Sequence, residues 1–135
     1  MSKLTFPAKF EILDEVRSHV AAQARAAGFS DKAVYAIQLA ADEAASNIIE
    51  HAYEGMSTGS FDMTCEYLKD QLVITFHDEG KSFDISKVNK PDLGADLSER
   101  KIGGLGIYLM HKLMDKVQYR STDSGNVLTL VKRKE

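Results

Sequence analysis

Strands that arrive in pairs, each pair closed by a few polar residues, limit this chain more than any other feature. Ser60 to Leu68 and Gln71 to His77 alternate apolar with polar residues and are joined by Lys69 and Asp70. Val117 to Thr122 and Val127 to Val131 flank Asp123, Ser124, Gly125 and Asn126. A short turn between alternating runs makes the two strands antiparallel neighbours. The other periodic stretches are helical. Ile12, Leu13, Val16 and Val20 recur at helical spacing until Gly28, and Val34, Ile37, Ala41, Ala44, Ile48 and Ala52 do so from a Ser30 or Asp31 cap to about Tyr53. A third helix is expected from Gly103 to Met114. Lys3 to Phe10 reads as an edge strand, because Pro7 has no amide to give to a ladder. Grouped hairpins with three helices predict an α+β, two-layer sandwich: a mixed, mostly antiparallel sheet covered on one face by helices.

At 135 residues the chain has room for one domain, residues 1–135. Seventeen Lys and Arg against 20 Asp and Glu leave a net charge of -3, which offers no bulk attraction to nucleic acid or to an anionic membrane. No apolar run is long enough to span a bilayer. A single cysteine, Cys65, and no secretory leader place the chain in a reducing cytoplasm.

Three clusters carry the chemistry. Glu43, Asn47 and His51 are spaced by four, which stacks them along one stripe of the second helix, away from its apolar stripe. A carboxylate, a carboxamide and an imidazole there can orient a nucleophile and hold a hard cation through oxygen. Ala36 and Ala40 precede them and keep that surface low. Asp78, Gly80 and Phe83 follow the apolar strand Leu72 to Phe76: a carboxylate for an exocyclic amine, a glycine for close backbone approach, and a ring for apolar cover. Gly103-Gly104-Leu105-Gly106 opens a helix and bares amides for phosphate, with Arg100 and Lys101 beside it. Each cluster also has a plainer reading: a solvated polar face, a turn after a strand, a flexible hinge. Between Asp78 and Lys101 apolar residues are sparse and aperiodic, as in a functional lid.

Taken in order, Glu43-x-x-x-Asn47-x-x-x-His51, Asp78-x-Gly80-x-x-Phe83-Asp84 and Gly103-Gly104-x-Gly106 resemble the GHKL (Bergerat-fold) ATP-binding superfamily. More closely, they resemble its anti-sigma-factor serine/threonine kinases. The resemblance implies ATP and Mg2+ as cofactors, Glu43 as general base and Asn47 as the magnesium ligand. It implies that Asp78 and Gly80 receive adenine, that Gly103, Gly104 and Gly106 bind phosphates, that Thr129 on the last strand fixes adenine, and that Arg100 lies near the γ-phosphate. It implies a phosphoryl acceptor that is an anti-sigma-factor antagonist, and a sigma factor as the second partner. His51 then belongs to the ATP helix and is not phosphorylated, since the chain has no room for a helical phospho-acceptor domain. Two other classes remain open: a nucleotide-gated binding module without transfer, and a structural domain without ligand. Apolar residues of the first helix and first strand serve either the core or a homodimer interface.

Overall fold

The computed structural model describes residues 2–52, 59–80 and 102–134. Strand β1, Ser2–Pro7, leads through a 3-10 turn, Phe10–Ile12, into helix α1, Leu13–Ala26. Helix α2 spans Asp31–Asn47 and continues as a π-helical turn, Ile48–Ala52. Strands β2, Ser60–Leu68, and β3, Gln71–Asp78, form the first hairpin. Helix α3, Ile102–Leu113, precedes the second hairpin, β4, Lys116–Thr122, and β5, Gly125–Arg133. The five strands form one sheet in the order β1-β2-β3-β5-β4, and all four pairings are antiparallel, where the sequence allowed a mixed sheet.

Local chemistry accounts for the element boundaries. The first strand stops at Pro7 rather than Phe10: the chain bends at Ala8, whose amide donates to Gly59 O at 2.9 Å, and Phe10 turns out to solvent. Gly28 ends α1 with φ +89°, a left-handed conformation that glycine adopts without a Cβ clash. The Gly28 amide donates to Arg25 O and the Phe29 amide to Ala24 O, which closes a Schellman cap over the buried Phe29 ring. Ser30 then caps α2, its Oγ accepting from the Ala33 amide at 3.2 Å.

In the β2–β3 turn both Lys69 and Asp70 have positive φ, as a two-residue hairpin of type I′ demands. The strain is offset by Tyr67, whose hydroxyl donates to the Asp70 carboxylate at 3.1 Å, and by the Lys134 amide, which donates to Asp70 O at 2.8 Å.

Alternation sets the two faces of the sheet. Phe61, Met63 and Cys65 of β2, Leu72, Ile74 and Phe76 of β3, and Leu128 and Leu130 of β5 are buried under the helices. Val16, Val20, Ala21 and Ala24 of α1 and Val34, Ile37, Ala41 and Ala44 of α2 meet them. Core packing thus accounts for the apolar stripe of α1. Burial pushes the Cys65 thiol up to about 11, which keeps it protonated and inert at neutral pH.

Candidate functional site

Antiparallel helix packing gathers one set of groups at one end of the domain. Lys112 and Leu113, in the last turn of α3, share a cleft with Ala33 and Ala36 of the first turns of α2 and with Lys132 at the end of β5. Helix α3 packs against α2, so it runs back along α2 and directs its glycine-bearing start toward the end that carries Glu43 and Asn47. Helix α2 also packs on β3 and β5. Its far end therefore points to the opposite end of β5, where Asn126 pairs with Asp78. Glu43, Asn47, Asp78, Gly80 and the start of α3 are brought to the same end.

Glu43 and Asn47 lie one turn apart on α2, both partly buried. Burial raises the Glu43 carboxyl above its ordinary value, and the charges of Asp42 and Glu50 raise it further. Asp42 is in turn engaged by Arg17 of α1, whose guanidinium donates to both Asp42 and Asp14. Gln38 Nε2 donates to Arg17 O at 3.2 Å and ties the same two helices. Arg17 thus offsets a negative charge beside Glu43, a role that no spacing pattern in the sequence announces.

Two expectations for this helix change. The α-helix ends at Asn47, and His51 lies in the π-helical turn beyond it. The low surface does not reach Ala40, which is completely buried; only Ala36 lines open space.

Asp78 ends β3 on the helix side of the sheet and is 5% exposed. Its Oδ1 accepts from the Gly80 amide at 2.9 Å and from Asn126 Nδ2 at 2.8 Å. Both bonds fall on Oδ1, which leaves Oδ2 without a donor among the described residues. Asn126 Nδ2 also donates to Gly80 O at 3.0 Å, and Asn126 Oδ1 accepts from Ser121 Oγ at 2.9 Å. One carboxamide therefore holds the carboxylate and the glycine together. Buried polar networks of this kind rigidify a site because each lost bond leaves an unsatisfied group. Beside them opens a polar cleft of about 570 Å3, lined by Glu79, Gly80 and residues 121–126.

Asn126 corrects the sequence reading in two ways. It is a strand residue, 3% exposed, where a turn was expected. It also takes the place beside Asp78 that had been expected of Thr129. Thr129 pairs with Thr75 and Gln118, and alternation puts it on the sheet face away from Asp78 and the helices. The parity of Asn126 with Leu128 and Leu130 was the available signal; Val127 and Val131 blurred it by making both faces of the strand look apolar.

Gly103, Gly104, Leu105 and Gly106 fall inside the first turns of α3, which starts at Ile102. In any α-helix the first four amides, from the capping residue onward, lack partners within the helix, here including those of Ile102, Gly103 and Gly104. Gly103 and Gly104 fall in that set, while Gly106 stands two residues beyond it. Phe83, Arg100 and the 81–101 lid lie outside the described residues, as does the side chain of His51.

Among the described residues no group of three or more His, Cys, Asp or Glu could cage a metal. Glu43 and Asn47 are nevertheless hard oxygen donors, and Mg2+ usually takes only one or two protein ligands while phosphates and water supply the rest. The donor set fits that ion. No described helix is long and apolar enough to cross a membrane.

Comparison with known proteins identifies the family and the fold. The histidine kinase-like ATPase domain family matches residues 6–132. The serine-protein kinase RsbW of Halalkalibacterium halodurans is 33% identical over 134 residues, covering 96% of this chain and 81% of that protein. The serine-protein kinase RsbW of Listeria monocytogenes is 36% identical over 121 residues, covering 85% of this chain and 76% of that protein. Among solved structures, the RsbU and RsbW domains of Rv1364c from Mycobacterium tuberculosis superpose with a TM-score of 0.64 at 15% identity, over 99% of this chain and 33% of that one. The catalytic domain of histidine kinase ThkA superposes with a TM-score of 0.58 at 16% identity, over 99% of each chain. At those identities the structures speak for the fold alone. With the fold, the matched span and the curated relatives in agreement, this chain belongs to the histidine kinase-like ATPase family, among relatives named as serine-protein kinases.

Proposed function

We propose that this chain is a cytoplasmic, ATP-dependent serine/threonine protein kinase and an anti-sigma factor, which phosphorylates an anti-sigma-factor antagonist and alternately sequesters a sigma factor. The observation that carries the reading is the convergence, at one end of the domain, of the Asp78, Gly80 and Asn126 network with Glu43, Asn47 and the start of α3. Sequence identity to proteins named serine-protein kinases supports transfer to a hydroxyl.

In this reading adenine enters beside Asp78, whose Oδ2 accepts from the exocyclic amine while Asn126 keeps the carboxylate aimed. Gly80 lets the ring approach the backbone. The amides at the start of α3, at the positive end of its dipole, receive the phosphates. Asn47 Oδ1 would hold Mg2+, which would neutralise charge on the phosphates. Glu43 takes the proton from the acceptor hydroxyl as its oxygen bonds to the γ-phosphorus and the bond to ADP breaks. Its carboxyl, raised by burial and by Asp42 and Glu50, is a stronger base than an exposed glutamate.

The test is transfer of label from γ-labelled ATP to a purified antagonist. Glu43→Ala should bind nucleotide normally and lose transfer by about 10² to 10⁴ fold, and Asn47→Ala should weaken Mg-ATP binding itself. Tight ATP binding by the unaltered chain without label on serine or threonine would favour a nucleotide-gated binding module instead.

A further inference from the structure

The end of the domain remote from Asp78 carries a cleft of a different character. It has a volume of about 490 Å3 and is lined by Lys32, Lys112, Lys132, Arg133 and Lys134, with no acidic residue among the described residues of its walls. Phe29, Ala33, Ala36 and Leu113 give it an apolar floor. Five cations in one concavity, with no acid among its described lining residues, invert the charge of a chain whose net charge is -3. Two nearby acids are engaged elsewhere: the Asp70 carboxylate accepts from Tyr67, and Asp115 accepts from the Arg133 amide at 2.7 Å.

Several of these cations are held in place. Lys132 Nζ donates to Leu113 O at 2.8 Å, which caps the end of α3. Lys112 lies 5.6 Å from the centre of the Tyr108 ring, and Lys134 5.9 Å from that of Tyr67. A Cβ on Gly28 would stand 2.8 Å from Lys134 Nζ, so the glycine that ends α1 also leaves room for this ammonium. Positioned cations lose less side-chain entropy on binding than free ones. The start of α2, capped by Ser30, adds the positive end of a helix dipole.

We infer that this cleft is a docking site for an acidic, apolar-containing peptide segment of a partner protein, separate from the nucleotide end. Carboxylates spaced along a peptide match the lysine point charges, and one or two apolar side chains match the Phe29 and Leu113 floor. A nucleic acid needs a long basic track, and it is repelled by the remainder of an acidic chain. A bilayer needs a flat or convex apolar surface, which a concave cleft does not present.

Fluorescence anisotropy on the full chain tests this with a short labelled peptide alternating Glu-Glu and Leu. The comparison probes are the same peptide with Gln for Glu, a single-stranded oligonucleotide and phosphatidylglycerol vesicles. The acidic peptide alone should bind, more weakly as salt rises. Lys112→Glu with Lys134→Glu should lower its affinity by at least about tenfold. Lys32→Glu should do so in the same direction, and it guards against misfolding because an acid in the first turn of a helix is favourable. Mg-ATP binding should be unchanged in both variants. No binding, equal binding of the Gln peptide, stronger binding of oligonucleotide or vesicles, or charge-reversal variants that bind like the parent would each overturn the inference. Measured without nucleotide, its failure would leave the kinase reading untouched.

Discussion

Replacing Asn126 by Asp exchanges one nitrogen for an oxygen, leaves the shape almost unchanged and inverts the electrostatics of the buried corner. Asn126 Nδ2 donates to Asp78 Oδ1 at 2.8 Å and to Gly80 O at 3.0 Å. The aspartate has no donor when ionised, so both bonds are lost. The bond to the carboxylate is worth about 1.5 to 3 kcal/mol and the neutral one about 1 kcal/mol. The new charge also faces Asp78 across a hydrogen-bond distance, and two like charges near 4 Å at an effective dielectric of 20 repel by about 4 kcal/mol. Both groups need not stay ionised. If one proton is shared between them, the cost is converted into a raised apparent pKa for the pair. At pH 7.5 Asn126→Asp should therefore be less stable than the parent by about 3 kcal/mol or more, read as a shift of the urea midpoint at unchanged m-value. The sign with pH follows from proton uptake. The native pair holds a proton more tightly than two unfolded aspartates do, so stability returns as pH falls through the raised native value toward the unfolded range. Binding of Mg-ATP, followed by calorimetry, should recover partly along the same curve. An Asn126→Asp protein as stable as the parent at pH 7.5, or one whose deficit does not shrink on acidification, would refute the assigned role of Asn126.

Glu43→Gln should abolish transfer yet stabilise the fold by up to about 1 kcal/mol at pH 7.5, after allowance for screening at a partly exposed group. Glu43 binds its proton more tightly in the folded state. Its contribution is favourable at low pH and is lost as pH rises past the ordinary 4.5, so the gain should vanish near pH 4; a constant gain across pH would count against the burial argument. Lys69→Asn should stabilise by up to about 1 kcal/mol in chemical denaturation, because asparagine tolerates the positive φ of this turn better than lysine. Ile37→Ala, at a side chain with no exposure, should cost about 2 to 5 kcal/mol in the same assay. A cost below about 1 kcal/mol would place Ile37 outside the core.

Much of the architecture was legible because its signals are local. The helix period from Val34 to Ala44, the glycine that ends α1 and the polar turns of the hairpins each report on a few neighbouring residues. So do Glu43 and Asn47, one turn apart on a single helix, and Asp78 at the end of an apolar strand. Asn126 was hidden because asparagine beside glycine is ordinary turn chemistry, and nothing within the strand announces that its amide meets residue 78. Thr129 misled for the complementary reason: Val127, Leu128, Leu130 and Val131 leave the facing of β5 undecided until β3 pairs with it in register. The π-helical turn after Asn47 shows no local breaker residue that would have marked it.

Amino-acid order alone determined the kinds of elements, their succession and the residue types available for binding a nucleotide, since periodicity, capping and turn preference act over one or two turns of chain. Tertiary structure decided which end of each element those groups occupy together. Placing α3 antiparallel on α2 and β5 beside β3 put the acid, amide and glycine groups at one end and five cations from three separate segments at the other. The physical reason is range: propensity is set by neighbours in sequence, whereas charge, burial and hydrogen-bond partners are set by neighbours in space.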